Sequence, residues 1–459
     1  MVVAASWSEE IRQLYLSGAA NQFILHGNVE DRLLLPAPAE ESLEGESPVP
    51  SLGNVYDFLR EHQLRKFDLV FTYDLGRGLQ AHAQSPLGKL AFESWPSARE
   101  AHAFPKSPRD GIAYIDHFLR YAQNLRLLAE AEESDLPAKL KGASPNIGVI
   151  IRTASLVLPL RATLSSNHEV HSAAYLVRSW SVDSPYRELH LATFLIAEKL
   201  NDLHPLLSGN PRAATLAIPL PSESDLASAL EQLAQSYPEA LQHFGADFQR
   251  PASRLTGTTL SSVESLVKVH HHRENPITEE TLAQLKKELV EKDCQGLIEF
   301  IEPDRTLDAV HGNEGIKTWL RQDIALWKQD DLQAMPMGYL FCGPVGTGKT
   351  YIVECLAGDA GVPVVKFKNF RDRWVGSTEG NLERIFAFLH ALGRCIVFID
   401  EADQALGSRG GNQGDSGVSG RVYSMMAKEM SNTRNRGKIL WILASSRPDL
   451  IEVDLKRPG

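Results

Sequence analysis

The chain has 459 residues, of which 43% are apolar, and its formal net charge at pH 7 is −11. This length exceeds what one ordinary hydrophobic core organises and predicts roughly two to four structural units. The apolar fraction is typical of a globular protein, and the acidic balance argues against a nucleic-acid partner, because the footprint of dedicated nucleic-acid binders is usually basic.

The amino terminus and the cysteines indicate a cytoplasmic location. Glu9 and Glu10 occupy the region where a secretory signal needs a basic segment and an apolar run. No stretch reaches the roughly 18 apolar residues that a membrane helix needs, so we expect no membrane partner. The cysteines lack CxxC spacing and fall inside predicted elements, which predicts buried, reduced thiols at Cys294, Cys342, Cys355 and Cys395.

The first half of the chain alternates strand and helix patterns. Five apolar runs predict strands, in QFILHGNV, FDLVFTYD, NIGVIIRTAS, HLATFLIAEKL and AATLAIPLP. Helices are predicted in NVYDFLREHQL and in the segment that opens with Ser107 and Pro108, a favourable helix start. The acidic stretch 35–53, rich in Pro and Ser, predicts a mobile loop.

The second half repeats this alternation after a helical stretch. Short apolar runs predict strands buried on both faces of a parallel sheet, in GYLFCG, VPVVKFK, CIVFID and KILWILAS. Helical segments lie between them, so the fold class is α/β, a doubly wound parallel sheet with helices on both sides. We predict three regions: an α/β module at 1–221, a helical lid or linker at 222–300, and a second α/β module at 301–459.

The segment GPVGTGKT fits the phosphate-loop pattern G-x-x-x-x-G-K-[ST] between a predicted strand and a predicted helix. Glycines let successive amides converge on phosphate oxygens, and the helix N-terminus adds positive potential. Lys349 is expected to contact the β- and γ-phosphates, and the Thr350 hydroxyl to ligate Mg²⁺. A glycine-rich turn that fits by accident is the alternative for this motif alone. The predicted nucleotide contacts here are Gly343, Pro344, Val345, Gly346, Thr347, Gly348, Lys349, Thr350 and Tyr351.

In the segment CIVFIDEAD, a predicted buried strand ends with two carboxylates, Asp400 and Glu401. The interval from Lys349 is long enough for one helix, one strand and a second helix. Asp400 is expected to complete the Mg²⁺ shell, and Glu401 to polarise the attacking water as general base. An exposed acidic turn is the alternative, which the phosphate loop disfavours. The two motifs together predict binding and hydrolysis of ATP.

A third signal follows the run KILWILA, where a predicted strand ends at Ser445 and Ser446. A hydroxyl at that strand end can orient a water beside the acidic pair. Arg457 precedes the Pro-Gly pair, and a guanidinium that reaches the γ-phosphate can raise the rate about 10³- to 10⁵-fold.

This ordered set of motifs resembles the AAA family of ring ATPases over about residues 301–459. GPVGTGKT, FIDEAD and SSRPDLIEVDLKRPG are similar to its Walker A motif, Walker B motif and second region of homology. The resemblance implies ATP and Mg as cofactors, and Ser446 at the sensor 1 position, where asparagine is usual. It implies that Arg457 is an arginine finger acting on a neighbouring subunit's ATP. LDAVHG resembles the segment that packs on adenine, which adds Val310, His311 and Gly312 to the expected contacts.

The segment RWVGSTEG resembles the first pore loop of that family, which carries an aromatic residue, an apolar residue and glycine. The resemblance implies that Trp374 and Val375 face a central channel and grip a protein substrate, as in katanin and spastin. Ring stacking of this kind tolerates many sequences. The alternative is a partly buried tryptophan that packs on the neighbouring helix.

The first module resembles an AAA core that has lost its chemistry, a plan similar to some plastid and cyanobacterial tandem AAA proteins. No Gly-Lys-Thr follows FILHG, and Arg152 and Thr153 stand where Walker B carboxylates belong. An unrelated α/β adaptor domain is the alternative. The triple histidine at 270–272 cannot converge on one ion from a helix, so a solvated helix end is expected there.

Three functions follow, in order of preference. The first is an ATP-driven protein remodeller, acting as a homo-oligomer for which the family implies six subunits, because Arg457 can act only on a neighbour's site. The second is an ATP-gated scaffold or assembly switch with little turnover, and the third a nucleic-acid motor. The family's last strand and helical lid would follow residue 459, so we expect a piece of a longer protein.

Overall fold

The computed structural model describes residues 6–36, 51–100, 104–127, 140, 143–160, 167–245, 247–278, 282, 286–288, 290–291, 294, 296–301, 303–329, 331, 333–368, 378–405 and 416–451. The chain divides into two compact units, Met1–Pro219 and Leu220–Gly459, which we call the first and the second unit.

The first unit is built on a six-stranded sheet with order β5-β4-β6-β7-β1-β8, in which β5 alone runs antiparallel to its neighbour. A separate antiparallel pair joins β2 to β3. The strands are β1 (Gln22–Gly27), β2 (Arg32–Leu35), β3 (Ser51–Asn54), β4 (Leu69–Asp74), β5 (Gly78–Ala83), β6 (Ile147–Ile151), β7 (Leu191–Ile196) and β8 (Ala213–Ile218).

Helices cover both faces of this sheet, and each face buries its own apolar cluster. Phe71, Phe118 and Trp180 belong to one cluster, and Trp7 and Phe23 to the other. The helices are α1 (Ser6–Leu16), α2 (Val55–Phe58), α3 (Pro86–Ser94), α4 (Pro96–Glu100), α5 (Pro108–Leu127), α6 (Ala154–Val157), α7 (Asn167–Val182), α8 (Ser184–Arg187) and α9 (Pro205–Ser208).

The five predicted strands of this half correspond to β1, β4, β6, β7 and β8, and α5 begins as predicted. The Ser107 hydroxyl accepts a hydrogen bond from the Asp110 amide at 3.2 Å, one turn into the helix. The prediction of a loop throughout 35–53 is wrong at both ends, because Leu35 pairs with Ser51 in the β2–β3 ladder. Gly53 permits this pairing, since a Cβ there would overlap the Leu35 side chain. Residues 37–50 lie outside the described ranges.

The second unit contains a five-stranded sheet with order β10-β13-β12-β11-β9, parallel except for the edge strand β9. Apolar clusters pack on both faces, as in the predicted doubly wound sheet. The strands are β9 (Ile298–Ile301), β10 (Gly338–Cys342), β11 (Val364–Phe367), β12 (Cys395–Ile399) and β13 (Ile439–Ser445). The helices are α10 (Glu223–Ser236), α11 (Pro238–Leu241), α12 (Gln249–Leu255), α13 (Leu260–His272), α14 (Glu314–Lys328), α15 (Lys349–Ala360), α16 (Thr378–Leu392), α17 (Ala402–Ala405) and α18 (Ser416–Met430).

The helical stretch α10–α13 belongs to the second unit. It opens with a capping box in which the Ser222 hydroxyl and the Asp225 carboxylate satisfy each other's backbone amides. Gly257 lies against the ring of Phe388 on α16, where a Cβ would approach to 2.7 Å. The sheet then starts with β9, which the sequence patterns do not predict.

Strand register brings three chain segments to one edge of the second sheet. Cys342 pairs with Ser445, and Ile399 pairs with Leu443. The residues that follow β10, β12 and β13 therefore lie side by side at the carboxyl ends of parallel strands, where open α/β sheets bind ligands. Within the described ranges, every helix is too short or too polar to span a bilayer.

Candidate functional site

The loop between β10 and α15 carries the phosphate-binding pattern. Gly346 and Gly348 adopt left-handed φ angles of 85° and 78°, a conformation that favours glycine. Val345 is 86% exposed, so the loop projects from the sheet edge. The Gly343 amide donates to the Ser445 carbonyl at 3.2 Å, which ties the start of the loop to β13. The remaining loop residues lead directly into a helix N-terminus, the geometry that attracts phosphate.

The ammonium group of Lys349 lies over this loop. Its Nζ donates to the carbonyls of Gly343 and Pro344, both at 2.9 Å. The Thr347 hydroxyl donates to the same Pro344 carbonyl at 2.9 Å. The positive charge thus lies at the first turn of α15, where the helix dipole also favours an anion. The arrangement suits a phosphate chain.

Thr350 and Asp400 meet across the site. The Thr350 hydroxyl donates to Asp400 Oδ2 at 3.1 Å. Two oxygens at adjacent corners of a Mg²⁺ octahedron, each about 2.1 Å from the ion, lie roughly 3 Å apart. The spacing of these two oxygens therefore fits a shared Mg²⁺ ion.

A lysine that the sequence analysis missed also approaches this carboxylate. Lys366 on β11 places its Nζ 3.8 Å from Asp400 Oδ2 and 5.7 Å from the centroid of the Phe398 ring. Its sequence signal is one charged residue inside the apolar run VVKF. Only the strand register shows that it reaches the Walker B position.

Glu401 occupies an unusual backbone conformation directly after Asp400. Its φ is 48°, in the left-handed region, and its amide donates to Asp400 Oδ1 at 3.0 Å. The side chain is exposed, and α17 begins at the next residue. A non-glycine residue held at positive φ is uncommon and often marks a functional turn. Ser446, directly after β13, is exposed as well, whereas Ser445 is fully buried.

The segment expected to pack on adenine lies against α15. Val310 is buried, and its carbonyl accepts a hydrogen bond from Lys317 Nζ at 2.9 Å. The Tyr351 hydroxyl donates to the Ala309 carbonyl at 3.4 Å. His311 is exposed, and Gly312 takes a left-handed φ of 80°. The segment thus reaches the helix that carries Lys349 and Thr350.

Three further site residues predicted from the sequence have no described position. Trp374, Val375 and Arg457 lie outside the described residues. Across the part of the chain that the structure describes, no group of three or more His, Cys, Asp or Glu could hold a metal ion.

Two sequence expectations are wrong in detail. His270 is not solvated: it is buried, and its Nδ1 lies 2.9 Å from the Asn275 carbonyl, because the chain folds back after α13. Cys342 is exposed, since β10 ends there at the sheet edge, while the other three cysteines are buried. Burial raises the pKa of Cys395 to about 12, so this thiol stays protonated.

The equivalent strand ends of the first unit hold different chemistry. The Arg152 guanidinium lies 4.6 Å from the centroid of the Tyr56 ring. The Gly27 amide donates to the Glu198 carbonyl at 3.1 Å, and the Asn28 amide donates to the Ile218 carbonyl at 3.0 Å. These strand-end amides donate to backbone carbonyls of the first unit, whereas a phosphate loop directs its amides at the ligand.

Comparison with known proteins agrees with both halves of this description. Residues 3–219 match the family described as AAA+ chaperone, N-terminal Rossmann-like domain. Residues 339–459 match the family described as ATPase family associated with various cellular activities (AAA). The predicted family and fold class are confirmed.

Three relatives are similar to this chain, and two of them are named as ATPases. The ATPase family protein 2 homolog of Caenorhabditis elegans is 32% identical over 175 residues, 36% of this chain and 24% of that protein. The peroxisomal ATPase PEX6 of Candida glabrata is 34% identical over 166 residues, 34% of this chain and 16% of that protein. The cell division cycle protein 48 homolog of Archaeoglobus fulgidus is 34% identical over 126 residues, 27% of this chain and 17% of that protein.

The matched segment spans about a quarter or less of each of these relatives. The family that matches residues 339–459 is an ATPase family. The chain therefore carries an AAA+ chaperone N-terminal domain at residues 3–219 and an AAA ATPase domain at residues 339–459.

Proposed function

We propose that the second unit binds ATP with Mg²⁺ and hydrolyses it, and that the protein uses this reaction to remodel protein substrates. The observation that carries the proposal is the 3.1 Å contact between Thr350 and Asp400 at the end of a glycine-rich loop. A hydroxyl, a carboxylate and an ammonium group surround one helix N-terminus, which is the donor set that a magnesium-bound triphosphate needs. The contacts proposed from the sequence also include Val310, His311, Gly312 and Tyr351.

Each side chain has a separate role in this proposal. Main-chain amides of the loop and the ammonium group of Lys349 bind the phosphates. Thr350 and Asp400 would hold Mg²⁺, which would supply charge stabilisation at the phosphates when bound. Glu401 accepts a proton from the attacking water, and its exposed carboxylate lies beside Asp400 at the sheet edge. Ser446 orients that water.

Substrate handling is assigned to residues outside the described ranges. We propose that Trp374 and Val375 grip an extended polypeptide, and that Arg457 completes the site of an adjacent subunit. Such a contact requires a closed homo-oligomer, and the family favours a hexamer. We propose that the first unit is a degenerate AAA-like module and that the helical stretch to residue 300, which belongs to the second unit by its contacts, corresponds to the lid of that module. We propose a cytoplasmic location.

An ATP-gated scaffold is the second candidate function. The serine at position 446 favours it, because serine is shorter than the usual asparagine and holds a water less firmly. In that case, ATP binding would set assembly while turnover stays low.

Substitution of Glu401 by Gln tests the leading proposal. Loss of the general base should lower kcat at least about 10²-fold while ATP affinity stays unchanged. The Glu401→Gln protein should also retain bound substrate protein with ATP in a pull-down, and Trp374→Ala on the same background should release it. Glu354→Gln, the same change on α15, is the matched control and should hydrolyse ATP like the wild type.

Two outcomes contradict the remodelling proposal. If wild-type protein binds ATP without turnover, the scaffold function replaces it. If the Glu401→Gln protein hydrolyses ATP as fast as the wild type, Glu401 is not the general base.

A further inference from the structure

Two buried side chains, Ser445 and Asp403, lie close in sequence to exposed residues of the proposed site. Ser445 is 0% exposed and Asp403 is 7% exposed, and the Ser445 hydroxyl donates to Asp403 Oδ1 at 2.5 Å. Hydrogen bonds to a carboxylate are shorter and stronger than neutral ones. A short bond between two buried groups fixes the separation of the elements that carry them.

Ser445 is linked to three segments of the site. Its backbone pairs with Cys342, and its carbonyl accepts from the amide of Gly343 at the start of the phosphate loop. Its hydroxyl accepts a second hydrogen bond, from the Arg447 amide at 3.0 Å. Hydrogen bonds at Ser445 and at the Arg447 amide therefore fix the backbone on both sides of the exposed residue Ser446.

Asp403 is linked to the general base. It lies in α17, whose residues Gln404 and Ala405 donate their amides to the Glu401 carbonyl at 2.8 and 3.0 Å. A displacement of this four-residue helix would move the left-handed turn at Glu401. The Asp403–Ser445 bond thus joins the turn that carries Glu401 to the strand end that carries Ser446.

We propose that Asp403 and Ser445 form a positioning pair that sets the relative placement of the Glu401 carboxylate and the Ser446 hydroxyl around the attacking water. This inference rests on the proposed function, because it concerns hydrolysis at that site. Neither member touches the reacting atoms. Their buried hydrogen bond fixes the backbone segments that carry Glu401 and Ser446. Active sites need such rigid support for the groups that contact substrate.

Substitution of Ser445 by Ala removes the hydroxyl and tests the pair. Misplacement of a base or its water by about 1 Å can lower turnover by about 10²-fold, so we expect kcat to fall about 10- to 100-fold. The Kd for ATP should change less than about twofold, because the phosphate loop and Lys349 are unaltered. Ser445→Thr keeps a hydroxyl and Asp403→Asn keeps an acceptor oxygen, so both should retain most of the activity.

A double variant separates positioning from folding. Asp403→Leu with Ser445→Ala removes both polar partners, which avoids a buried carboxylate without a donor. We expect it to melt near the wild-type temperature and still to show the reduced kcat. Ser181→Ala is the matched control, because Ser181 is a 2% exposed serine in a hydrogen-bonded cluster of the first unit. It should affect melting without a specific loss of kcat.

The outcomes distinguish this inference from the function it rests on. A wild-type protein that does not hydrolyse ATP overturns both. A wild-type protein that hydrolyses ATP overturns the positioning pair alone if Ser445→Ala keeps its kcat, or if the double variant recovers it.

Discussion

The two units build corresponding sheets with different residues at the strand ends. The order β4-β6-β7-β1 in the first unit matches β11-β12-β13-β10 in the second, and each has an antiparallel strand beyond β4 or β11. After β6, Thr153 takes a φ of 47° before a four-residue helix. After β12, Glu401 takes a φ of 48° before another. The backbone of the turn is therefore the same whether it presents Arg152 or Asp400.

This comparison separates what builds the fold from what supplies the chemistry. Both strands before the turn are fully buried apolar runs of five residues, and burial of such runs accounts for the sheet. The charges that follow are free to differ, because they lie at the sheet edge and contribute little to the core. A left-handed turn is thus compatible with an active or an inactive site.

The largest expected difference between the units is in ATP affinity. Lys349→Ala removes a charged donor to the phosphates, which is worth about 1.5–3 kcal/mol, so the Kd should rise about 10- to 100-fold. Arg152→Ala, at the equivalent edge of the first unit, should leave the Kd within about twofold. Equilibrium titration with a fluorescent ATP analogue measures both. A large effect of Arg152→Ala would break the comparison by placing nucleotide in the first unit.

Substitution of Gly88 and of Gly358 tests whether the stability of each unit depends on a close backbone contact within that unit. A Cβ at Gly88 would overlap the Asp68 carbonyl in the first unit, and one at Gly358 would overlap the Arg305 carbonyl in the second. Each change to Ala should destabilise its own unit by about 2–3 kcal/mol, measured by hydrogen exchange resolved along the chain. Gly315→Ala is the control: its Cβ meets open space on α14, so it should stabilise the helix by about 0.5–1 kcal/mol. Equal loss of protection in both units after either change would show that they unfold together.

Alkaline pH should destabilise each unit through its own buried groups. Burial raises the pKa of Tyr15, Tyr73 and Tyr186 to about 12, and all three belong to that unit. In the described part of the second unit, burial raises the pKa of Tyr339 and of the thiols of Cys355 and Cys395. The folded state holds these phenol protons more tightly than the unfolded chain, so their stabilising contribution is complete below pH 10 and is lost as the pH rises toward 12. Hydrogen exchange should show the first unit losing protection over that interval. A shallower pH dependence in Tyr186→Phe would support this cause, and an unchanged one would exclude it.

Sequence patterns predict the continuous apolar strands and the phosphate loop, because burial on two faces and the need for glycine leave strong local signals. They do not predict β5 or β9, since short edge strands such as GLQAHA and IEFI carry little pattern. They also miss α7, whose core positions include the small residues Ala173 and Ala174.

The sequence patterns miss two residues of the site for the same reason. Lys366 and Asp403 reach it from neighbouring elements, and their contacts depend on strand register. No spacing within one segment encodes such a contact.

The exposure of Cys342 has a practical consequence. This thiol ends β10 immediately before Gly343, while Cys294, Cys355 and Cys395 are buried. A maleimide dye would therefore attach beside the phosphate loop of the natural sequence, and its emission would report nucleotide arrival in real time without an engineered labelling position.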